Sequence, residues 1–215
     1  MNIPAEFDEI RPYSPEELPA VYEELIADEA FRHVMAKVMP GIPFEAIAMQ
    51  MRQCKTNLEF QKTFCYPFLH NLVSKCSDGM SMDCTAIQGD THPHTFITNH
   101  RDIVLDSALL SVLLVDNGQN TVEIAIGDNL LIFPWIKKLV RINKSFIVQR
   151  ALTMRQMLES SVRMSRYMHF AISEKNENIW IAQREGRAKD SDDRTQDSVL
   201  KMMAMGGEGS VVERL

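Results

Sequence analysis

From about residue 83 onward, short β-prone runs alternate with longer stretches of helical spacing, and no other feature restricts the fold as tightly. The runs are Thr95-Phe96-Ile97-Thr98, Val122-Glu123-Ile124-Ala125-Ile126, Phe146-Ile147-Val148 and Ile179-Trp180-Ile181-Ala182. Between them lie segments such as residues 104–115 and 152–170, whose apolar positions recur at helical intervals. Strand, helix, strand in repetition implies crossover units and a mainly parallel sheet. In such sheets ligands gather at the carboxyl ends of the strands, so the residues that follow each run are the ones to read for chemistry.

The first 80 residues have no such rhythm and read as helices. Ser14-Pro15-Glu16-Glu17 combines an N-cap, a proline at the first helical position and a capping-box glutamate, which predicts a helix running to about Ala27. Asp28 caps a second helix that places Phe31, Val34, Met35 and Val38 on one face, ending at Pro40-Gly41-Ile42-Pro43. Thr56 and Glu59 form a further capping box ahead of Leu58, Phe64, Phe68, Leu69 and Leu72. The expected fold class is α/β, a mainly parallel sheet with flanking helices preceded by an N-terminal helical bundle. The expected domains are residues 1–80 and 81–215.

A chain of 215 residues with 45% apolar and 24% charged side chains has material for a sizeable core, which excludes disorder, collagen-like structure and a disulfide scaffold. The net charge of −6 argues against a protein that coats nucleic acid. That total hides an asymmetry. Residues 1–30 carry nine acidic side chains against Arg11 alone, whereas residues 133–189 carry twelve Lys or Arg against four Glu. The basic block is either a solvated face or a surface for an anionic partner. Cys54, Cys65, Cys76 and Cys84 lack close C-x-x-C pairing, and the N-terminus lacks a secretory pattern, so free thiols in a reducing cytosol are expected. The longest near-apolar run, residues 108–115, is too short to cross a bilayer.

Three strand ends carry candidate chemistry. After the first comes Asn99-His100-Arg101-Asp102-Ile103-Val104-Leu105-Asp106, where a histidine with carboxylates close behind suits a general base and its orienting partner. A histidine that caps the helix, with Asp106 solvated, is the alternative. Positions six apart on one regular helix point roughly 120° away from each other. His100 must therefore precede the helix if it is to meet Asp106, and Asp102 is the nearer competitor. The second candidate, Phe146-Ile147-Val148-Gln149-Arg150, ends a strand with an arginine whose fork suits phosphate, or which is an ordinary surface residue. The third is Ile179-Trp180-Ile181-Ala182-Gln183-Arg184-Glu185-Gly186-Arg187-Ala188-Lys189, a strand running into a turn where glycine lets the main chain approach a ligand, flanked by Arg184, Arg187 and Lys189, or else a basic loop with ordinary ion pairs. His92-Pro93-His94 reads as a loop feature, and no metal site is expected. Met154, Met157, Met164 and Met168 accompany Arg155, Arg163 and Arg166 on a stretch that either lines an acyl groove, rests on anionic lipid or faces the core.

In this order the three segments resemble the glycerophospholipid acyltransferase family, which includes glycerol-3-phosphate and lysophosphatidate acyltransferases. Asn99, His100 and Arg101 match the family's N-H-R-S-x-x-D motif directly, and Asp106 matches with one extra residue of spacing. Residues 146–150 resemble its Phe-Ile-x-Arg strand, with Lys144 where glycine is common, and residues 185–189 resemble its E-G-T-R-S motif, one residue shorter. The resemblance covers about residues 83–205. A fourth motif, a later strand ending in proline, has no match before Leu215, so an incomplete catalytic domain is expected.

The resemblance implies an acyltransferase of phospholipid synthesis. His100 would deprotonate a hydroxyl of glycerol-3-phosphate or lysophosphatidate for attack on acyl-CoA or acyl carrier protein, Asp106 would hold the imidazole, and Arg150, Glu185, Gly186 and Arg187 would position the phosphorylated acceptor. No cofactor beyond the acyl donor is implied, and the place of action is the cytoplasmic face of the membrane, by peripheral contact. Acylation of another lipid hydroxyl, such as an aminolipid's, is one alternative, and an inactive lipid- or carrier-binding module is a second. A soluble α/β hydrolase is a third, weaker alternative, since no G-x-S-x-G elbow is present.

Overall fold

Capping chemistry decides where the first helices begin. The computed structural model describes residues 2–150, 153–207 and 209–210. The helices ahead of the sheet are α1 (Leu18–Ala27), α2 (Glu29–Val38), α3 (Phe44–Gln53), α4 (Asn57–Phe60) and α5 (Tyr66–Cys76). Asp28 accepts the Phe31 N–H at 3.0 Å to start α2, and Thr56 accepts the Glu59 N–H at 3.1 Å to start α4. α1 begins at Leu18, later than the Ser14 signal implies. The Glu17 carboxylate does accept the Ser14 N–H at 2.6 Å, but it also pairs with Arg11 at 2.6 Å, and residues 15–17 form a separate turn.

The helix predicted from Thr56 is interrupted. Gln61–Cys65 make a π-helical turn, closed by the Tyr66 N–H on the Gln61 carbonyl. Pro67 follows immediately and has no N–H to give to the preceding turn, a common cause of such an insertion. The extra residue rotates the apolar stripe, so Phe64 and Leu69 are buried while Phe68 is 46% exposed.

The β-prone runs form one four-stranded sheet. β1 (Thr95–Thr98), β2 (Val122–Gly127), β3 (Ser145–Val148) and β4 (Asn178–Ala182) lie in the order β1-β4-β2-β3, every neighbouring pair parallel. The chain passes between successive strands through α6 (Leu105–Asp116), α7 (Pro134–Ile142) and α8 (Met154–Ser173), and a short α9 (Asp197–Met203) follows. The expected α/β class, with helices before a parallel sheet, is what the chain adopts. Leu152, where the helical pattern starts, lies outside the described residues.

Strand alternation divides the two faces of the sheet. Ile97, Ala125, Ile179 and Ile181 pack with Tyr167 and Met168 of α8, while Phe96, Ile124, Trp180 and Ala182 pack with Leu114 of α6. Burial on both faces is why these strands read as nearly continuous apolar runs. The helical core of Leu18, Tyr22, Leu25, Phe31 and Phe60 also takes in Ile142 of α7. The outer edge of β3 is covered by the N-terminal segment, whose Ile10 carbonyl accepts the Ile147 N–H at 2.8 Å. Arg141 of α7 fixes that segment by donating to the Arg11 carbonyl at 2.7 Å and the Asp8 carbonyl at 2.8 Å.

Glu123 interrupts the apolar run of β2 and faces α8, only 1% exposed. Lys175 pairs with it, and the Tyr167 hydroxyl donates to it at 2.5 Å. Close by, Lys144 pairs with Glu177 at 2.5 Å and donates to Thr121 at 3.2 Å. Buried charges persist only when partnered in this way. Burial, and then the negative charge of Glu123, push the Tyr167 hydroxyl far above its usual pKa, so it stays a donor. Tyr167→Phe should leave Glu123 short of a donor and destabilise the fold by about 1–3 kcal/mol in urea unfolding. A change below about 0.5 kcal/mol, the level of an ordinary surface substitution, would mean that Lys175 alone satisfies the carboxylate.

Candidate active site

Parallel strands deliver everything that follows them to one edge of the sheet. At that edge lies a cleft of about 250 Å³, lined by His100, Ile103, Gly127, Arg150, Trp180 and Arg187 among others.

His100 occupies the turn between β1 and α6, so the helical-angle conflict with Asp106 does not arise. Its Nδ1 lies 2.8 Å from Asp106 Oδ2, and the same oxygen accepts the N–H groups of Arg101 at 2.7 Å and Asp102 at 3.0 Å. One carboxylate in the first turn of α6 thus closes the turn that carries the histidine. It selects the tautomer with hydrogen on Nδ1 and leaves the lone pair on Nε2. Asp102 does something else. Its Oδ1 accepts the N–H groups of Leu105 and Val104, both at 2.8 Å, and these two donors hold its carboxyl below the usual carboxylate range.

The imidazole is braced from two further directions. The Trp180 ring meets it edge-on at 5.5 Å, and the indole Nε1 donates to Thr98 Oγ1 at 2.9 Å. The Ala188 N–H donates to the His100 carbonyl at 2.6 Å, which ties the loop after β4 to the turn after β1.

Arg150 leaves β3 into the same cleft, with its main-chain N–H held by the Asp128 carboxylate at 3.2 Å to each oxygen. Gly186 adopts φ 71° and lines the cleft with Arg187. Glu185 is 80% exposed and meets Arg150 at 3.8 Å. The structure therefore brings His100, Asp106, Arg150, Gly186 and Arg187 together, with Glu185 touching the group through Arg150. Sequence reading did not single out Ile103, Asn129 or Trp180 as cleft residues, whereas Arg184, in the third candidate segment, does line the cleft. Strand alternation carries the signal for Trp180, since β1–β4 pairing sets it on the face of Thr98 and His100.

A larger cavity, about 440 Å³, lies at the opposite edge beside Tyr13, Lys144, Lys175 and Glu177. Its lysines are already neutralised by Glu177 and Glu123, so it offers no unpaired cation to a phosphate.

A sequence model of the acyltransferase family matches residues 83–211, more than half of the chain and all four strands. The chain belongs to the acyltransferase family. Acyl transfer, with an acyl donor and a lipid acceptor in general, is what this family carries out. No curated protein matches the chain. Among the described residues of this acyltransferase, no helix is long and apolar enough to cross a membrane.

The two aspartates should separate on substitution. Asp102→Ala removes an acceptor at the entrance of α6 and should cost about 1 kcal/mol, leaving the His100 tautomer unchanged in ¹H–¹⁵N imidazole spectra. Asp106→Ala strands three donors and should both destabilise more and shift the tautomer. A shift with Asp102→Ala instead would reassign the partner.

Proposed function

We propose that the protein moves a fatty acyl group from acyl-CoA or acyl carrier protein to a hydroxyl of glycerol-3-phosphate or lysophosphatidate, in phospholipid synthesis at the cytoplasmic membrane surface. The observation that carries this reading is an imidazole oriented by a carboxylate at 2.8 Å in a cleft that also holds Arg150 and Arg187. His100 Nε2 takes the proton of the acceptor hydroxyl as its oxygen attacks the thioester carbonyl carbon. The tetrahedral intermediate collapses, the C–S bond breaks, and the departing thiolate takes the proton from the imidazolium. Asp106 keeps the ring in place and stabilises its charged form. Arg150 and Arg187 give the acceptor's phosphate a forked, permanently charged partner. Gly186 leaves its main chain open to the ligand, with nothing within 4 Å of where a Cβ would stand. Holding hydroxyl, base and thioester together supplies much of the rate.

A lipid substrate is supported by apolar side chains exposed around the same edge. Ile103 and Val104 follow β1, Ile132 and Phe133 follow β2, and Met154, Met157 and Leu158 open α8 after β3. The buried residues of α8 begin only at Met164, and residues 154–159, about 9 Å long at helical rise, are exposed. In this reading that edge lies against the membrane surface where the product belongs.

Labelled acyl-CoA or acyl carrier protein, supplied with each acceptor, tests the chemistry. His100→Ala should lower kcat by about 10²–10⁴-fold, and Arg150→Ala should raise the acceptor KM far more than the donor KM. Transfer that survives His100→Ala would remove the proposed base. Met157→Asp with Leu158→Asp should abolish co-flotation with phosphatidylglycerol vesicles while the fold stays intact, and unchanged flotation would move the membrane contact elsewhere.

A further inference from the structure

At the end of β2, the sequence Gly127-Asp128-Asn129 takes no part in the acyl transfer described above, yet Gly127 and Asn129 line the cleft beside Arg150. The β2–β3 register sets Gly127 next to Val148, two residues before Arg150. Gly127 has φ −71° and ψ 137°, extended backbone that any residue adopts, so its dihedrals do not call for glycine. Space does. A Cβ at Gly127 would lie 2.8 Å from Arg150 Nε, 3.3 Å from Arg150 Cζ and 2.5 Å from Asn129 Oδ1. The guanidinium is laid across the end of β2, in the room left by the missing side chain. Asp128 grips the same residue by its main chain, at 3.2 Å from both carboxylate oxygens, and Glu185 bounds it at 3.8 Å from Nη1.

From this geometry we propose that Gly127 and Asp128 are positioning residues, which aim the Arg150 guanidinium into the cleft and thereby set the affinity for a phosphate-bearing acceptor. The proposal rests on the reading of Arg150 as the phosphate's partner. An arginine that finds its fork geometry only on binding loses rotamer freedom at that moment, whereas one already laid in place lost it on folding. The atoms that a Cβ would strike are the far ends of two flexible side chains. Gly127→Ala therefore moves Arg150 and Asn129 rather than the strand, and the variant folds.

The full chain is titrated calorimetrically with sn-glycerol 3-phosphate and, separately, with inorganic phosphate, and the acceptor KM is measured beside kcat. The variants are Gly127→Ala, Asp128→Ala, Arg150→Ala and the double Gly127→Ala/Arg150→Ala. Gly127→Ala should weaken acceptor affinity about tenfold, with kcat falling less and the unfolding midpoint unmoved. In the Arg150→Ala background the same change should add less than about twofold, because both remove one contact. Losses that multiply in the double variant, or wild-type affinity in Gly127→Ala, would overturn the positioning role and leave Arg150 as the phosphate partner. Wild-type affinity in Arg150→Ala, or a wild-type chain that binds neither probe, would instead overturn the reading of Arg150, and this proposal with it.

Discussion

Because all four strands run in one direction, every chain exit from the sheet opens on the same edge. Each return to the next strand then needs a crossover, and α6 and α8 supply layers on opposite faces. The cleft is the remainder of that arrangement. It lies where the turns after β1, β2, β3 and β4 meet without a helix between them, and each contributes one or two side chains. A single carboxylate, Asp106, then converts a flexible turn into a rigid mount for His100 by accepting three hydrogen bonds on one oxygen.

The two edges of the sheet differ in electrostatic character. At the amino edge Glu123, Lys175, Lys144 and Glu177 are matched against each other, so the charges there are spent on internal pairing. At the carboxyl edge Arg150 and Arg187 face a cleft, and the Arg150 guanidinium meets the exposed Glu185 carboxylate at 3.8 Å. The basic block of residues 133–189 is thus divided. Arg141, Lys144 and Lys175 are structural, whereas Arg150 and Arg187 face open space.

Much of the architecture was legible because burial on both sheet faces leaves a plain trace, a nearly continuous apolar run that begins and ends within a residue of each strand. Two of the helices that carry a side-chain cap were equally plain, α2 from Asp28 and α4 from Thr56, whereas the Thr153 cap of α8 went unread. α3 and α7 have no such signal, since Pro43 and Phe133 precede them and neither offers a side-chain acceptor. The π-helical turn also left no trace, because apolar spacing alone does not reveal one residue inserted in a turn. At the candidate site, His100, Arg150 and Gly186 were legible from their places just after β-prone runs. The choice between Asp102 and Asp106 was not legible, as it depends on which carboxylate the turn's own N–H groups select. Gly127 was hidden for a different reason. Its backbone is ordinary, and only a neighbouring strand's side chain explains the need for space.

The indole beside His100 has a consequence for how the protein can be observed. The chain has two tryptophans, and Trp135 lies away from the cleft, packed against Phe31 in the helical core. Trp180 alone stands in edge contact with the imidazole, oriented by its bond to Thr98. A protonated imidazole withdraws electron density from an excited indole where a neutral one does not, so the emission of Trp180 is coupled to the charge on His100. The fold has placed a native fluorophore against the imidazole of the cleft, so an unlabelled sample carries an optical report on that ring.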